Sequence, residues 1–348
     1  MLKDRQSNFE LLRILAMIGV MVLHAGLYGP VADAYPMESR GGGIYLAHAF
    51  AVLSVNVFVI ISGYFSIKFR IASVLSFLWT IVYWRVVTIV FLYISYGVLP
   101  DSLTGYLPFA PISVKGIGFA FQGWFIGAYI GLMVLSPALN MYSNTMNTRQ
   151  LGIYCLAFFV AEIAFDWLIP SITIFGGGYT PFAFVGLYFL GRYMARPDSL
   201  DFQLRVSIPC FLAACLFGGS TMAFASLYGN SIPILRNKLM FCSLGYTTPL
   251  TLLGSFLIVM VIKHLHFYSK IVNWLAASAF AVYLFHGGMP FYKEKALEYF
   301  IKYRGIKYIC VMLLFLLCTY LVAVIIDQGR RGGYSLFVKK CILGKNEK

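Results

Sequence analysis

The chain has 348 residues, of which 60% are hydrophobic and only 11% are charged, and its mean hydropathy is +0.80. Soluble globular chains are roughly one quarter charged residues, so this composition excludes a water-soluble enzyme of one or two domains. The net charge is +14, but the basic residues are scattered between apolar blocks and form no continuous stripe. They fit the topology of a membrane protein better than a nucleic-acid surface, and we expect no nucleic-acid partner.

Long apolar blocks predict the fold class, an all-α polytopic transmembrane bundle of about ten helices. Lipid favours helices because every backbone polar group must form a hydrogen bond within the protein. A helix needs about 20 residues to cross the hydrocarbon core of the bilayer. The predicted spans are 9–28, 44–66, 74–98, 118–140, 151–169, 179–195, 206–228, 245–263, 272–290 and 306–327. We expect a transmembrane domain over 1–330 and a short basic cytoplasmic tail over 331–348.

The distribution of Lys and Arg predicts that both termini are cytoplasmic. With the N-terminus inside, sixteen of these residues fall in inner segments and nine in outer loops, as expected when basic residues are enriched on the cytoplasmic side. Five of the nine follow the ninth span, in a segment that we expect to be a loop. The outer connections 29–43 and 99–117 and the run Gly176–Gly178 are typical of turns, although they would also suit a gate or an acceptor site.

The first span contains three ionisable residues, Glu10, Arg13 and His24. Such residues are costly in lipid and usually face a cavity or a partner. Eleven residues separate Arg13 from His24, which is within about 20° of three full turns, so both lie on one helix face about 16 Å apart along the axis. Glu10 precedes Arg13 by three residues and can pair with it.

Two interpretations of this polar face remain open from spacing alone. In the functional one, Arg13 holds phosphate groups at the cytoplasmic mouth and His24 takes a proton from a hydroxyl. In the structural one, Arg13 extends to the inner headgroups and His24 donates to a carbonyl of a neighbouring helix.

Further polar residues interrupt the later spans. Arg85 lies in the middle of an apolar segment and needs a partner or a cavity. Glu162 and Asp166 are one helical turn apart, and we favour an ion pair with Arg85 over a role in lining a site. His286 ends its span in AVYLFHGG, where interfacial anchoring and a functional role both remain open.

Several segments resemble the acyltransferase-3 family of integral-membrane O-acyltransferases, in particular the bacterial polysaccharide O-acetyltransferase type. The residues Asn8-Phe-Glu-Leu-Leu-Arg13, followed by ten residues and His24, resemble the opening signature of that family. Four later segments resemble its other spans in family order: VNVFVIISGYF at 55–65, GWFIGAYIGLMVLSPALN at 123–140, LYFLGRYM at 187–194 and ASAFAVYLFHGG at 277–288. The resemblance therefore covers nearly the whole chain.

The resemblance implies a multi-pass protein of the bacterial plasma (inner) membrane. It would move an acyl group, usually acetyl, from cytoplasmic acyl-CoA to a hydroxyl of a surface glycan or lipid-linked saccharide. Acetyl-CoA is then a co-substrate. No metal is expected, and the seven cysteines show neither a CxxC motif nor His-linked spacing.

The catalytic pair implied by the resemblance is Arg13 and His24, with His24 acting either as a base or as a transient acyl carrier. Arg13, together with Lys68 or Arg70, would hold the phosphate end of the donor while the thin pantetheine arm reaches His24. The implied substrate-binding residues are Glu10, Ser62, Tyr64, Arg70, Arg85, Trp124 and His286. Candidate donors to the developing oxyanion, among which the sequence does not choose, are Ser62, Tyr64, Trp124 and Tyr283.

Two competing functions also fit a polytopic bundle. A transporter or flippase of a lipid-linked glycan would use about ten spans, glycine-rich outer loops and buried charges, but it would not need the spacing between Arg13 and His24. A non-catalytic scaffold in a glycan-synthesis complex would tolerate the loss of His24.

Overall fold

The computed structural model of the protein describes residues 6–25, 42–101, 123–169, 174–228 and 245–335. The helices in these ranges are α1 (Ser7–Ala25), α2 (Gly42–Ala51), α3 (Leu53–Tyr64), α4 (Ile71–Tyr96), α5 (Trp124–Thr145), α6 (Thr148–Ile163), α7 (Pro181–Met194), α8 (Leu204–Tyr228), α9 (Pro249–Lys263), α10 (Lys270–Ala276), α11 (Ala279–Gly288), α12 (Pro290–Lys302) and α13 (Gly305–Gly333). A π-helical segment, Ala164–Leu168, continues α6, and a 3₁₀ turn, Gly176–Gly178, precedes α7.

The predicted polytopic helical bundle is confirmed. By length and composition, seven helical segments in the described ranges are able to cross a membrane, one of which, Gly43–Tyr64, consists of α2 and α3 together. The pair α10 and α11, bent by 43° at their junction, would form an eighth. The two remaining predicted spans contain α7 and α9, of 14 and 15 residues. At 1.5 Å per residue these helices reach only about 22 Å. Every residue of α7 from Ala183 to Gly191 is buried, so this helix is enclosed by protein.

Helix α1 lies at the centre of the bundle, where it contacts α2, α3 and the five helices from α9 to α13. Its first turn is held by two hydrogen bonds. The Ser7 hydroxyl donates to Asn273 Oδ1 at 2.9 Å, and the Asn8 side-chain amide donates to the Ile262 carbonyl oxygen at 2.9 Å. The helix with three ionisable residues is therefore surrounded mainly by protein, which explains how it retains them in a membrane.

Glycines allow α3 and α7 to approach each other closely. A Cβ atom added at Gly63 would lie 2.1 Å from the carbonyl oxygen of Tyr188, and one added at Gly191 would lie 2.1 Å from the carbonyl oxygen of Ile60. Small residues at such crossings let helix backbones pack in a membrane. The glycine that follows Ser62 is thus required by the contact between these two helices.

A buried charge cluster fixes the bend between α10 and α11. Asp327 is fully buried and accepts hydrogen bonds from Arg330 Nε at 2.5 Å and Arg330 Nη2 at 3.0 Å. The Ser278 hydroxyl, at the bend, donates to Asp327 at 2.8 Å, and Trp84 Nε1 donates to it at 3.3 Å. These donors compensate the buried carboxylate and hold the start of α11, the helix that carries His286.

The start of α1 and the end of α13 lie at the same face of the bundle. The ring of Phe9 lies 5.1 Å from that of Phe65, and the Tyr334 hydroxyl donates to the carbonyl oxygen of Ala72 at 3.0 Å. The start of the described chain therefore meets the connection between α3 and α4, residues 65–70, and its end meets the first turn of α4. From the count of basic residues we expect this face to be cytoplasmic, and we call it the inner face.

The expectation of a loop after the ninth span is wrong, because that segment contains α12. Tyr292 and Ala296 are fully buried, and the Tyr299 ring packs 5.5 Å from that of Phe315 on α13. This i, i+4, i+7 spacing buries one side of a helix. The basic residues of the segment thus belong largely to an amphipathic helix that packs on α1 and α13.

The turn predicted at Gly176–Gly178 is confirmed. Its three glycines have φ angles of 56°, 66° and 93°, in the left-handed region that glycine adopts most readily. The predictions for the connections 29–43 and 99–117, and for the tail 331–348, fall mostly outside the described residues.

We expect the substitution Gly63→Ala to destabilise the bundle, because the added methyl group overlaps the α7 backbone. Overpacking of this kind costs about 1–3 kcal/mol, so the thermal unfolding midpoint in detergent should fall by several degrees. Gly127→Ala in α5 is the matched control, since its added Cβ meets no atom within 4 Å. Equal midpoints for the two variants would contradict the packing role.

Candidate active site

Two histidines from different helices meet near the ends of α1 and α11. His24 Nδ1 lies 2.9 Å from His286 Nε2, and the ring centres are 5.1 Å apart. His286 is 1% exposed, whereas His24 is partly exposed. The structure thus brings together two candidate residues from opposite ends of the sequence, and His24 pairs with an imidazole rather than with a backbone carbonyl.

The hydrogen bonds of His286 determine which nitrogen of His24 is available. His286 Nδ1 lies 2.7 Å from the carbonyl oxygen of Val282, and a carbonyl can only accept, so Nδ1 carries the proton. In a neutral ring His286 Nε2 is then an acceptor, and it receives the hydrogen of His24 Nδ1. His24 Nε2 is left with its lone pair, the form needed in a base or a nucleophile.

Tyr292 contacts both helices that carry these histidines. Its hydroxyl donates to the carbonyl oxygen of Met21 at 2.6 Å, three residues before His24, and its ring lies 5.3 Å from that of His286. This side chain therefore fixes the separation of α1 and α11 at the histidine pair. Tyr292 is absent from the residues predicted from sequence because its segment reads as a loop there. The helical spacing of apolar residues in that segment is the signal that could have identified it.

The histidine pair can hold and move a proton. Zinc sites use at least three protein ligands, and in the part of the chain that the structure describes no group of three or more His, Cys, Asp or Glu residues could hold a metal ion. The two imidazoles of the pair are hydrogen-bonded to each other.

At the inner end of α1, Arg13 forms the predicted pair with Glu10. Arg13 Nη1 lies 2.5 Å from Glu10 Oε1. The guanidinium carbon of Arg13 also lies 5.6 Å from the centre of the Phe65 ring, within cation–π range. The Arg13 side chain is 28% exposed, so it is held beside the connection between α3 and α4 and still presents part of its guanidinium group.

A cavity of about 460 Å³ opens at this connection. Its basic and hydroxyl side chains come from the connection and the first turn of α4, and its larger apolar ones come mostly from further along α4 and from α5. The lining residues are Phe65, Ser66, Ile67, Lys68, Arg70, Ser73, Phe77, Tyr129 and Met133. Such a cavity suits a ligand with phosphate groups at one end and an uncharged arm at the other.

Two further candidate residues, Ser62 and Tyr64, lie close to this cavity. The Ser62 hydroxyl donates to the carbonyl oxygen of Phe58 at 2.8 Å and lies 3.2 Å from the hydroxyl of Tyr129, which lines the cavity. Tyr64 packs its half-buried ring 5.2 Å from that of Phe65, which lines the cavity, and 4.5 Å from that of Phe9 on α1.

Trp124 is not among the residues that line the cavity. It begins α5, and its ring packs 4.5 Å from that of Tyr179 and 5.7 Å from that of Tyr246. The Trp124 ring also lies 6.0 Å from that of Phe125, which lies 5.7 Å from that of the cavity residue Tyr129, so this candidate residue is connected to the cavity through two rings.

Arg85 is buried in α4, a helix that contacts α11. The preceding residue, Trp84, packs its ring 5.6 Å from that of Phe285. One turn after Arg85, the Thr88 hydroxyl would lie 2.9 Å from a Cβ atom at Gly288. Arg85 therefore lies in a turn of α4 whose neighbouring residues contact the helix that carries His286.

The expected ion pair of Arg85 with Glu162 or Asp166 is not formed, although all three residues lie in described helices. Asp166 instead accepts a hydrogen bond from the backbone N–H of Gly177 at 3.1 Å. The prediction is wrong because α4 and α6 are not close neighbours in the bundle.

The comparison with known families covers the helices just described. The model of the acyltransferase-3 family, an acyltransferase domain, matches residues 6–328. No curated protein and no solved structure shows a match to the chain. Because the family match spans nearly the whole chain and includes Arg13 and both histidines, the protein belongs to the acyltransferase-3 family and is a membrane acyltransferase.

Proposed function

We propose that the protein is an acyl-CoA-dependent O-acyltransferase of the bacterial plasma (inner) membrane. It moves an acetyl group from cytoplasmic acetyl-CoA to a hydroxyl of a surface glycan or glycolipid precursor. The observation that carries this proposal is the hydrogen bond between His24 and His286, because it leaves an imidazole nitrogen with a free lone pair inside a membrane acyltransferase.

The inner cavity is suited to the nucleotide end of the donor. Lys68 and Arg70 supply positive charge among its lining residues, and Arg13 adjoins it through the ring of Phe65. Arginine binds phosphate oxygens through two parallel hydrogen bonds. The ion pair with Glu10 orients the Arg13 side chain for this contact.

The distance between the two ends of the site is compatible with the length of the donor's pantetheine arm. Arg13 and His24 are about 16 Å apart along α1. The nucleotide of acetyl-CoA is bulky and highly charged, whereas its pantetheine arm is thin and uncharged. Holding the phosphates at the inner face therefore presents the thioester to the histidine pair without moving charge into the membrane.

Transfer proceeds by displacement at the thioester carbonyl. His24 Nε2 removes the proton of the acceptor hydroxyl while the hydroxyl oxygen bonds to the carbonyl carbon and an oxyanion develops. As the carbonyl reforms, the C–S bond breaks and the imidazolium returns the proton to the thiolate, which yields the ester and CoA. His286 accepts from His24 Nδ1 throughout and stabilises the imidazolium.

The remaining candidate residues are assigned to substrate binding. Arg85 provides positive charge beside α11, where an oxyanion near His286 would be attracted. Ser62 and Tyr64 adjoin the donor cavity, and Trp124 does not line it but is connected to it through the ring of Phe125.

The substitution His24→Gln should lower acyl transfer by about 10²–10⁴-fold, the contribution of a general base. The measurement is label transferred from radiolabelled acetyl-CoA to membrane glycan, in inverted vesicles of the source bacterium that carry only the variant gene. His266→Gln, an exposed histidine near the inner end of α9, is the matched control. Undiminished transfer by His24→Gln at equal protein levels would refute the base role.

His286→Ala and Tyr292→Phe should lower kcat and leave the KM for acetyl-CoA unchanged, because both side chains position His24. We expect a loss on the order of 10²-fold for His286→Ala, the cost of about 1 Å of misplacement, and a smaller loss for Tyr292→Phe. Tyr320→Phe is the control, since its buried hydroxyl also donates to a backbone carbonyl, that of Leu275 at 3.3 Å. Equal losses of kcat in both tyrosine variants would contradict the positioning role.

Arg13→Gln should raise the KM for acetyl-CoA by roughly tenfold or more, the effect of one lost charge-assisted hydrogen bond, and kcat at saturation should be retained. Initial rates over a series of acetyl-CoA concentrations measure both quantities. Arg149→Gln removes an exposed basic residue at the start of α6 and should leave KM unchanged. A wild-type KM in Arg13→Gln would exclude phosphate binding by this residue.

A further inference from the structure

Five aromatic side chains close a circle in the interior of the bundle. We call it the aromatic circle, and its members in order are Phe77, Phe280, Tyr283, Phe125 and Tyr129. Consecutive ring centres around it are 4.7, 6.1, 5.5, 5.7 and 5.9 Å apart. Among these five described rings, each contacts only its two neighbours, so no ring contact crosses the circle.

The aromatic circle lies between the two parts of the candidate site. Phe77 and Tyr129 line the inner cavity. Tyr283, on the other side of the circle, places its ring 6.0 Å from that of His286. A ligand held in the cavity by its charged end would therefore reach the histidine pair by passing these rings.

One hydroxyl of the aromatic circle has no partner among the described residues. Tyr283 is 7% exposed, and its hydroxyl oxygen is not among the buried side-chain oxygens of the described residues that lack a hydrogen bond, so this oxygen itself remains accessible. The other hydroxyl, that of Tyr129, lies 3.2 Å from Ser62 Oγ. Tyr283 is therefore available to donate to a carbonyl oxygen of a ligand.

We propose that the aromatic circle binds the pantetheine arm of the donor and limits the transferred acyl group to one no wider than that arm. This inference rests on the proposed function as an acyl-CoA-dependent transferase. Tyr283 donates to a carbonyl oxygen of the arm or of the thioester. The rings offer no full charge, so they accept alkyl and amide groups and leave the phosphates in the basic cavity.

The dimensions of the circle agree with a thin ligand. A regular circle of five rings at these spacings places each ring centre about 5 Å from the axis. Carbon atoms attract each other most strongly at roughly 3.5–4.0 Å. The proposed role therefore requires one extended chain along the axis in contact with the rings, and it excludes a sugar or an aromatic acyl group from that path.

The first test measures binding and does not depend on turnover. Isothermal titration of the purified full chain in detergent compares CoA with its adenosine bisphosphate fragment, which lacks the arm. We expect the wild type to bind CoA more tightly, and Phe280→Trp to reduce the ratio of the two affinities by about tenfold, because the larger ring obstructs the arm. Phe217→Trp, 59% exposed on α8, is the matched control. An unchanged ratio in a folded Phe280→Trp variant would overturn the proposal.

The second test measures the width of the acyl group that can be transferred. The wild type should use acetyl-CoA and butyryl-CoA but discriminate strongly against benzoyl-CoA. Phe280→Leu should raise the ratio of kcat/KM for benzoyl-CoA to that for acetyl-CoA by about tenfold, and Phe217→Leu should not change it. Equal ratios in all three proteins would overturn the role of the circle.

The outcomes separate this inference from the proposed function. Transfer from acetyl-CoA with unaltered affinity and selectivity in the Phe280 variants rejects the aromatic circle and leaves the acyltransferase mechanism in place. A wild-type protein that neither binds CoA nor transfers an acetyl group rejects both.

Discussion

The hydrogen bond between His24 and His286 requires two helices to end side by side, and much of the bundle holds them in that position. Helix α1 is enclosed by seven other helices. Tyr292 joins the last turn of α1 to the His286 ring, and Asp327 fixes the other end of α11 through Ser278. A shift of about 1 Å in either helix would weaken this contact and the catalysis that we propose for it.

The membrane imposes a second constraint: the residues that bind the charged end of the donor must lie apart from the residues that carry out the transfer. The ion pair between Arg13 and Glu10 lies at the inner face, and so do the basic residues of the cavity. The histidines are at the other ends of their helices, and aromatic side chains occupy the space between. This order suits a donor whose charged end stays near water while its uncharged arm enters the bundle. The mechanism therefore needs no movement of phosphate groups through lipid.

The predicted ion pair that depended on residues close together in the sequence was accurate, and the one that depended on a contact between distant segments was not. The pair of Glu10 and Arg13 was predictable because residues three apart on a helix are neighbours wherever that helix lies. The ion pair of Arg85 with Glu162 failed because it required α4 and α6 to be adjacent, which spacing along the chain does not reveal. Helix α12 was missed because its buried residues alternate with many charges, so its composition resembles that of a loop.

The sequence by itself determined the helical bundle, the approximate positions of its spans, the family and the polar face of α1. These properties follow from the thickness of the bilayer and from the period of the helix, and both act locally. Only the tertiary structure decided that His24 meets His286, that Tyr292 holds them, and which imidazole nitrogen keeps its lone pair. Those contacts join residues more than 250 positions apart, and packing between helices alone determines them.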